Sequence, residues 1–330
     1  LSETLFNTLS SKNRNNLLSR ETTLVHQRRI LSAILEAPMY ILGISCFYHD
    51  SGACLLKDGI VLAAAQEERF TRKKHDAGFP SQAIQWCLQD AKITVQDLDY
   101  IAFYEKPLQK FDRLLHQHLA MFPFSLSTFV QAMPSWLHEK LRVQYFIRRK
   151  LKFKKTIFYL EHHLSHAAAS FLPSDFQEAA ILTVDGVGEW ETTTLGKADA
   201  EGIHLFKSIH FPHSLGLLYS TVTAYLGFSV NNSEYKVMGL APYGKPVYIE
   251  HFRKLIDVKE DGSFFLHMGY FDYHYATHMP SKKFLQLFGP SRKPHEPLEQ
   301  RHMDIAASLQ HILEETVFKL LNHLYLLTQC

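Results

Sequence analysis

The sequence predicts an α/β protein made of two related lobes, and two observations lead to this prediction. A pattern of three apolar segments separated by tight turns begins at Tyr40 and is repeated from Ala179. Both copies have turns rich in Asp and Gly, which tight turns favour. The residues between the copies show apolar positions at helical spacing instead. Repeated meanders joined by helices indicate an α/β fold with a duplicated lobe.

The two meanders have the same order of strands and turns. The first is "YILGISCFYHDSGACLLKDGIVLAAAQEE", and the second has the turns "DGVGE" and "DAEG". Such a pair is the signature of the actin, hexokinase and Hsp70 superfold, where one turn from each lobe approaches nucleotide phosphates in the cleft. Glycine allows this approach because it lacks a Cβ and leaves its N–H accessible. We therefore predict that Gly186 and Gly188 contact the substrate.

The remaining elements follow from apolar spacing and turn residues. Residues 107–150 are predicted to be mostly helical. The other predicted elements are a helix at Pro80–Ala91, a strand at Asp97–Glu105, a short buried strand at Thr156–Glu161 and a terminal helix at Ile305–Leu327.

These elements divide the chain into three predicted parts. Residues 1–38 are rich in Ser, Asn, Arg and Thr, lack strand patterning and are expected to be a non-native or disordered extension before a start at Met39. Residues 39–160 form the first lobe, and residues 161–330 form a histidine-bearing helix and the beginning of a second lobe. Because the chain stops after an amphipathic helix, we expect a fragment that is inactive by itself and whose last helix keeps an apolar face exposed.

Composition excludes several classes of protein. The 330 residues are 46% hydrophobic and 21% charged, with a formal net charge of +2, so no overall attraction to nucleic acid is expected. We find neither an apolar run of about 20 residues, which a membrane span needs, nor a secretory signal. The four cysteines form no Cys-x-x-Cys pair, and a reducing cytoplasm fits best.

The segment "YLEHHLSHAAASF" is the strongest candidate for a functional site. His162 and His166 are four residues apart, so on a helix they share one face. Two imidazoles need a further ligand to hold a divalent metal, and Asp185, which ends an apolar strand soon afterwards, is the natural candidate. Two histidines and one carboxylate suit non-haem iron, manganese or zinc.

The same spacing recurs elsewhere and has to be weighed against this interpretation. His274 and His278 are also four residues apart, but in an aromatic, loop-like stretch. The zinc-protease motif His-Glu-x-x-His is not matched, because His163 occupies the position of the glutamate that would act as general base. We expect His163 to pack or to support the metal ligands by hydrogen bonding.

Six motifs in order resemble one family, the NodU/CmcH-type O-carbamoyltransferases, over Met39–Cys330. They are "CFYHDSGACLL", "EERFTRKKHDAGFP", "EHHLSHAAASF", "DGVGEW", "PHSLGLLYSTVTAYLGF" and "EYKVMGLAPYG". The resemblance implies transfer of a carbamoyl group from carbamoyl-adenylate to an acceptor hydroxyl in natural-product or nodulation-factor biosynthesis. It further implies a bound metal, usually iron, and a YrdC-like domain, expected outside this chain, that makes the adenylate from carbamoyl phosphate and ATP.

The resemblance also implies roles for single residues. The histidine pair and Asp185 match the metal ligands of the family. His49, with Asp50 beside it, matches a histidine of the acceptor site and is the candidate catalytic group, since imidazole titrates near neutral pH. Lys74 matches a lysine near the adenylate, and Lys236 is expected to line the cleft.

Two other functions stay open on the sequence. One is an ATP-dependent kinase of the same superfold, which would not need the histidine pair, so that the iron content of the purified protein separates the two enzymes. The other is a truncated lobe that binds a ligand without turnover. In each case the expected partner is a small molecule rather than nucleic acid or a membrane.

Overall fold

The computed structural model describes residues 38–330, so the predicted extension lies outside the described residues except for its last one. The first lobe contains one five-stranded sheet in the order β3-β2-β1-β4-β5. Its strands are β1 (Tyr40–Ser45), β2 (Gly52–Lys57), β3 (Ile60–Gln66), β4 (Tyr100–Phe103) and β5 (Thr156–Tyr159).

The direction of these strands matches the way the chain connects them. Strands β1, β2 and β3 pair antiparallel through two tight turns, as the first meander predicts. Strands β4 and β5 run parallel to β1, which requires crossover connections. These connections contain the helices α1 (Glu68–Thr71), α2 (Ser81–Asp90), α3 (Pro107–Ala120), α4 (Leu126–His138) and α5 (Val143–Leu151).

The core of the first lobe lies on one face of this sheet. Leu42 and Leu55 alternate with more exposed residues along β1 and β2, as expected for strands with one buried face. Helices α2 and α5 contribute Ile84 and Ile147 to the same cluster, and all four side chains are almost wholly buried. This packing holds the first turn, between β1 and β2, in a defined position.

The prediction of a buried strand at Thr156–Glu161 is wrong in one respect. Strand β5 is present, but Thr156 and Phe158 are exposed and the other two positions are only partly buried. The reason is its place at the edge of the sheet, where it has a single neighbouring strand. A short apolar run does not reveal this, because edge and central strands have the same local pattern.

The second lobe opens with the helix α6 (His162–Phe171) and the repeated meander. Strands β6 (Ala179–Val184), β7 (Glu191–Asp199) and β8 (Gly202–His210) form an antiparallel sheet in that order. Strands β9 (Ile256–Val258) and β10 (Phe264–Leu266) form a separate two-stranded sheet. The following helices are α7 (Leu215–Tyr225), α8 (Glu234–Leu240), α9 (Ile249–Phe252), α10 (Lys282–Phe288) and α11 (Gln300–Thr328).

Helix α11 contributes a continuous stripe to the second core and leaves other apolar residues exposed. Ile305, Leu309 and Ile312 are buried within the large cluster that also contains Tyr225 and aromatic residues of α9 and α10. The exposed apolar residues lie in the last three turns and are Phe318, Leu321, Tyr325, Leu326 and Leu327. The exposed apolar face predicted for this helix is therefore present.

Both predicted meanders are confirmed, and with them the α/β fold class with one meander in each lobe. The domain boundary predicted after residue 160 falls between β5 and α6. Among the helices of residues 38–330, none combines the length and apolar character that crossing a bilayer requires.

Candidate metal centre and cleft

Three side chains converge where α6 begins and β6 ends. Nε2 of His162 lies 2.8 Å from Oδ2 of Asp185 and 3.0 Å from Nε2 of His166. The distance from Nε2 of His166 to the same carboxylate oxygen is 3.8 Å. Helical periodicity brings the two imidazoles together, and the carboxylate lies beside them because Asp185 directly follows β6. We call these residues the metal triad.

The metal triad fits a divalent metal by its spacing and its chemistry. Ligand atoms about 2.1 Å from a metal and at right angles to each other lie about 3.0 Å apart, close to two of the three separations given above. Burial raises the pKa of Asp185, but hydrogen bonds from His162 and His166 and from the Gly186 N–H outweigh it and hold this pKa far below its ordinary range. An ionised carboxylate beside two imidazoles suits iron, manganese or zinc.

His163, the next residue on the helix, forms hydrogen bonds with both of its ring nitrogens. It is buried, with Nδ1 2.6 Å from the Thr183 hydroxyl and Nε2 2.9 Å from the carbonyl oxygen of Glu191. Burial lowers the pKa of this imidazole. These contacts agree with the packing alternative expected for His163, and neither hydrogen bond goes to a residue of the metal triad.

Gly188 has a role in packing that the sequence did not suggest. A Cβ at this position would lie 3.0 Å from Cδ2 of His163 and 3.1 Å from Cβ of His162. The glycine thus lets the "DGVGE" turn pack directly against the start of α6. It is absent from the residues that line the cleft, so its predicted contact with substrate stays a prediction.

Glu189, in the same turn, is a functional candidate that sequence reasoning missed. Its buried carboxylate accepts hydrogen bonds from the backbone N–H of His162 at 3.0 Å and of Lys106 at 2.7 Å. It therefore caps the N-terminus of α6 and ties it to the residue before α3. Because the capping residue lies 27 positions after the helix start, no local sequence pattern predicts this cap.

The metal triad opens into a cleft of about 570 Å³ between the two lobes. The first lobe contributes Tyr48, His49 and Asp50 from the turn after β1, together with Lys110 of α3. From the second lobe come the triad, Gly186 and residues of α7, α8 and α11, among them Leu217, Glu234 and Leu313. Residues of the two predicted turns thus face the same space.

His49 and Asp50 interact directly at the rim of this cleft. Nδ1 of His49 lies 2.8 Å from Oδ2 of Asp50, and Oδ1 of Asp50 lies 2.9 Å from Nδ1 of His75. Partial burial raises the pKa of Asp50, but the hydrogen bonds from the two imidazoles outweigh it and hold that pKa below its ordinary value. The carboxylate is therefore an acceptor shared by two histidines.

The two predicted lysines lie outside the cleft lining. Lys74 is exposed, although the residue after it contacts Asp50. Lys236 is also exposed, and its Nζ lies 5.9 Å from the ring centres of Phe228 and Tyr235. Their contacts with substrate stay predictions.

The second pair of histidines does not assemble a metal site. Nε2 of His278 lies 2.8 Å from Oδ2 of Asp272, and burial lowers the pKa of His274. Within residues 38–330 only one other group besides the metal triad brings three ligand atoms together, namely Asp50, Glu68 and His75, in which Nδ1 of His75 bonds to Asp50 and the backbone N–H of His75 donates to Glu68.

Comparisons with known proteins show the family of the chain. The family model described as carbamoyltransferase N-terminus matches residues 40–329. An uncharacterized protein of Synechocystis, sll1178, is 52% identical over 296 residues, which are 87% of this chain and 48% of that protein. The nodulation protein NolNO of Sinorhizobium fredii is 33% identical over 288 residues, which are 84% of this chain and 38% of that protein.

The chain thus spans less than half of the length of these two relatives. Among solved structures, YeaZ from Pseudomonas aeruginosa aligns with a TM-score of 0.29 and 13% identity, over 53% of this chain and 68% of that one. The match to the family model extends over almost the whole described chain and includes both lobes and the metal triad. The chain belongs to the carbamoyltransferase N-terminus family.

Proposed function

We propose that this chain, within a protein as long as its relatives, transfers a carbamoyl group from carbamoyl-adenylate to the hydroxyl group of a small-molecule acceptor. The observation that carries the proposal is the position of His49 and the metal triad in one cleft between the lobes. The likeness to NolNO, named as a nodulation protein, favours an acceptor of that biosynthetic kind. Carbamoyl phosphate and ATP, the precursors of the adenylate, belong to the cytoplasm, and the four free cysteines fit that compartment.

His162, His166 and Asp185 would hold the metal, for which we propose Fe²⁺. When bound, a divalent metal supplies Lewis acidity toward a carbonyl oxygen and stabilises developing negative charge. Gly186 places a small backbone beside this centre, where its lack of a Cβ leaves room for an anionic group.

His49 performs the acid–base part of the proposed reaction. Its Nδ1 is bonded to Asp50, which leaves Nε2 as the atom available to the acceptor. The acceptor oxygen forms a bond to the carbamoyl carbon, the bond from that carbon to the adenylate phosphate breaks, and AMP leaves. The proton of the hydroxyl passes to Nε2 of His49, and positioned bases of this kind contribute about 10²–10⁴-fold in rate.

The test uses the chain loaded with Fe²⁺ and given radiolabelled carbamoyl-adenylate with a panel of oligosaccharide alcohols. We expect label on one class of acceptor, and a loss of about 10²-fold in the His49→Ala variant with unchanged metal content. In a longer protein that also makes the adenylate, His49→Ala should spare that first step. Equal loss of both half-reactions would contradict the acceptor-side role of His49.

The kinase alternative is tested in the same experiment. Transfer of the γ-phosphate of ATP to the acceptors, with no carbamoyl transfer and no dependence on the metal triad, would replace the proposal. Binding of the adenylate without any turnover would favour the third function, a ligand-binding lobe.

A further inference from the structure

His75 contacts the candidate catalytic pair although it is absent from the cleft lining. It lies in the segment between α1 and α2, and its Nδ1 is 2.9 Å from Oδ1 of Asp50. The other oxygen of the same carboxylate is 2.8 Å from Nδ1 of His49. One carboxylate therefore stands between two imidazoles and meets each through Nδ1.

This arrangement determines which ring nitrogen of His49 carries a proton. An ionised carboxylate can only accept hydrogen bonds, so both Nδ1 atoms act as N–H donors to Asp50. In a neutral imidazole the other nitrogen is then unprotonated. For His49 this leaves Nε2 as the proton acceptor.

The backbone around the three side chains holds them in register. The buried Ser51 donates from its N–H and from its hydroxyl to the carbonyl oxygen of Asp76, each at 2.8 Å. Residues 50–51 and 75–76 therefore run side by side. The N–H of His75 donates to Oε2 of Glu68 at 2.9 Å, which fixes this segment on its other side.

The surroundings of Asp50 do not by themselves fix the orientation of its carboxylate. Its side chain is 30% exposed, and its backbone has φ of 48°, the left-handed region that is costly for residues with a Cβ. His49, with a side chain 46% exposed, would bond to a carboxylate free to rotate if His75 were absent. The second imidazole removes that rotation by engaging the other carboxylate oxygen.

We propose that His75 is a positioning residue, which fixes the Asp50 carboxylate and so keeps Nε2 of His49 unprotonated at the cleft. The consequence for rate rests on the proposed function, in which His49 accepts the proton of the acceptor hydroxyl. The control over the tautomer of His49 does not, so the two parts are measured separately.

The first measurement is ¹⁵N NMR of the ring nitrogens of His49 in the full chain, at about pH 8, where free imidazole is neutral. The signals are assigned by their loss in His49→Gln. In the wild type we expect a protonated Nδ1 and an unprotonated Nε2. In His75→Ala both signals should move toward a mixture of tautomers.

Two further variants control this measurement. His75→Asn keeps an N–H donor where Nδ1 stood and tolerates the positive φ of 56° at this position, so it should restore the wild-type signals. Lys92→Ala places alanine at an exposed residue with φ of 55° and should leave the His49 signals unchanged. It therefore controls for the effect of alanine in the left-handed region, which His75→Ala also introduces. Unchanged His49 signals in His75→Ala, or a folded His75→Asn that fails to restore them, would overturn the proposal.

The second measurement is steady-state kinetics with the acceptor found above. We expect His75→Ala to lower kcat about tenfold with KM within about twofold, and His75→Asn to recover most of the loss. If the tautomer changes while kcat does not, the base role of His49 in the proposed function is wrong, and control of the tautomer by His75 is supported.

Discussion

The carboxylate of Glu189 accepts a hydrogen bond from the backbone N–H of His162 at 3.0 Å, so the turn after β6 holds the first residue of α6. The same carboxylate accepts from the N–H of Lys106 at 2.7 Å, which joins the first lobe to this point. The position of the metal triad thus depends on a residue outside it.

We expect Glu189→Ala to lower the free energy of unfolding by about 1–2 kcal/mol, because two partly buried N–H groups lose their acceptor. Glu189→Gln keeps one acceptor oxygen and should lose less. Iron affinity, measured by competition with a chelator, should fall in the same order as α6 shifts. The exposed Glu201 supplies the control, and a Glu189→Ala protein as stable as Glu201→Ala would contradict this reading.

Removal of His166 tests the metal triad directly. Its side chain is 53% exposed, so we expect His166→Ala to fold normally and to lose bound iron or zinc by at least about tenfold. Elemental analysis of the purified protein measures the content. His278→Ala is the matched control, because it removes a histidine of the second pair, which bonds to Asp272. Equal metal content in the two variants would sink the assignment.

The two glycines of the "DGVGE" turn should respond differently to alanine. At Gly188 the new Cβ would press on His162 and His163, and we expect a loss of about 1–3 kcal/mol in stability together with weaker metal binding. At Gly186 the nearest atom, Cδ2 of Leu217, is 3.9 Å away, an ordinary contact.

Gly186→Ala should therefore keep its stability and metal and bind a non-hydrolysable carbamoyl-adenylate analogue more weakly, because the Cβ faces the cleft. Thermal unfolding, elemental analysis and calorimetry distinguish the two variants. The same loss of stability at both positions would show that Gly186 also serves packing.

We expect stability to depend on pH through His302, which lies outside the metal triad. It is buried near the start of α11, and its Nδ1 accepts the N–H of Glu299 at 2.9 Å, which requires an unprotonated Nδ1. Burial, and then the positive charge of Arg301, lower the pKa of this imidazole.

The unfolded chain therefore binds more protons at this residue than the folded chain as pH falls below about 6.5. The contribution of His302 to the free energy of unfolding is fully present above that pH, and it is lost as the pH falls toward the lowered pKa of the folded chain. The slope attributable to one such group is at most about 1.4 kcal/mol per pH unit. His302→Gln keeps an acceptor at the same helix position and cannot titrate. Urea unfolding between about pH 5 and 8 should show a shallower dependence for His302→Gln, and parallel curves would contradict the prediction.

Local chemistry in the sequence determined the repeated meanders and the metal triad. Strand alternation and Asp-Gly turns act within a few residues, and His162 and His166 share a helix face by periodicity alone. The position of Asp185 at the end of an apolar strand was equally visible. These features need no knowledge of distant contacts, and the structure brings them together as predicted.

Tertiary structure alone decided which further residues meet this centre. Glu189 reaches the start of α6 from 27 residues away, and His75 reaches Asp50 from 25 residues away, because turns from separate strands pack side by side. Lys74 matches a motif yet is exposed, whereas the neighbouring His75 contacts Asp50. The exposure of β5 likewise follows from its place at the sheet edge. Side-chain direction in loops and the order of strands in a sheet depend on packing between distant segments, which residue types and spacing do not encode locally.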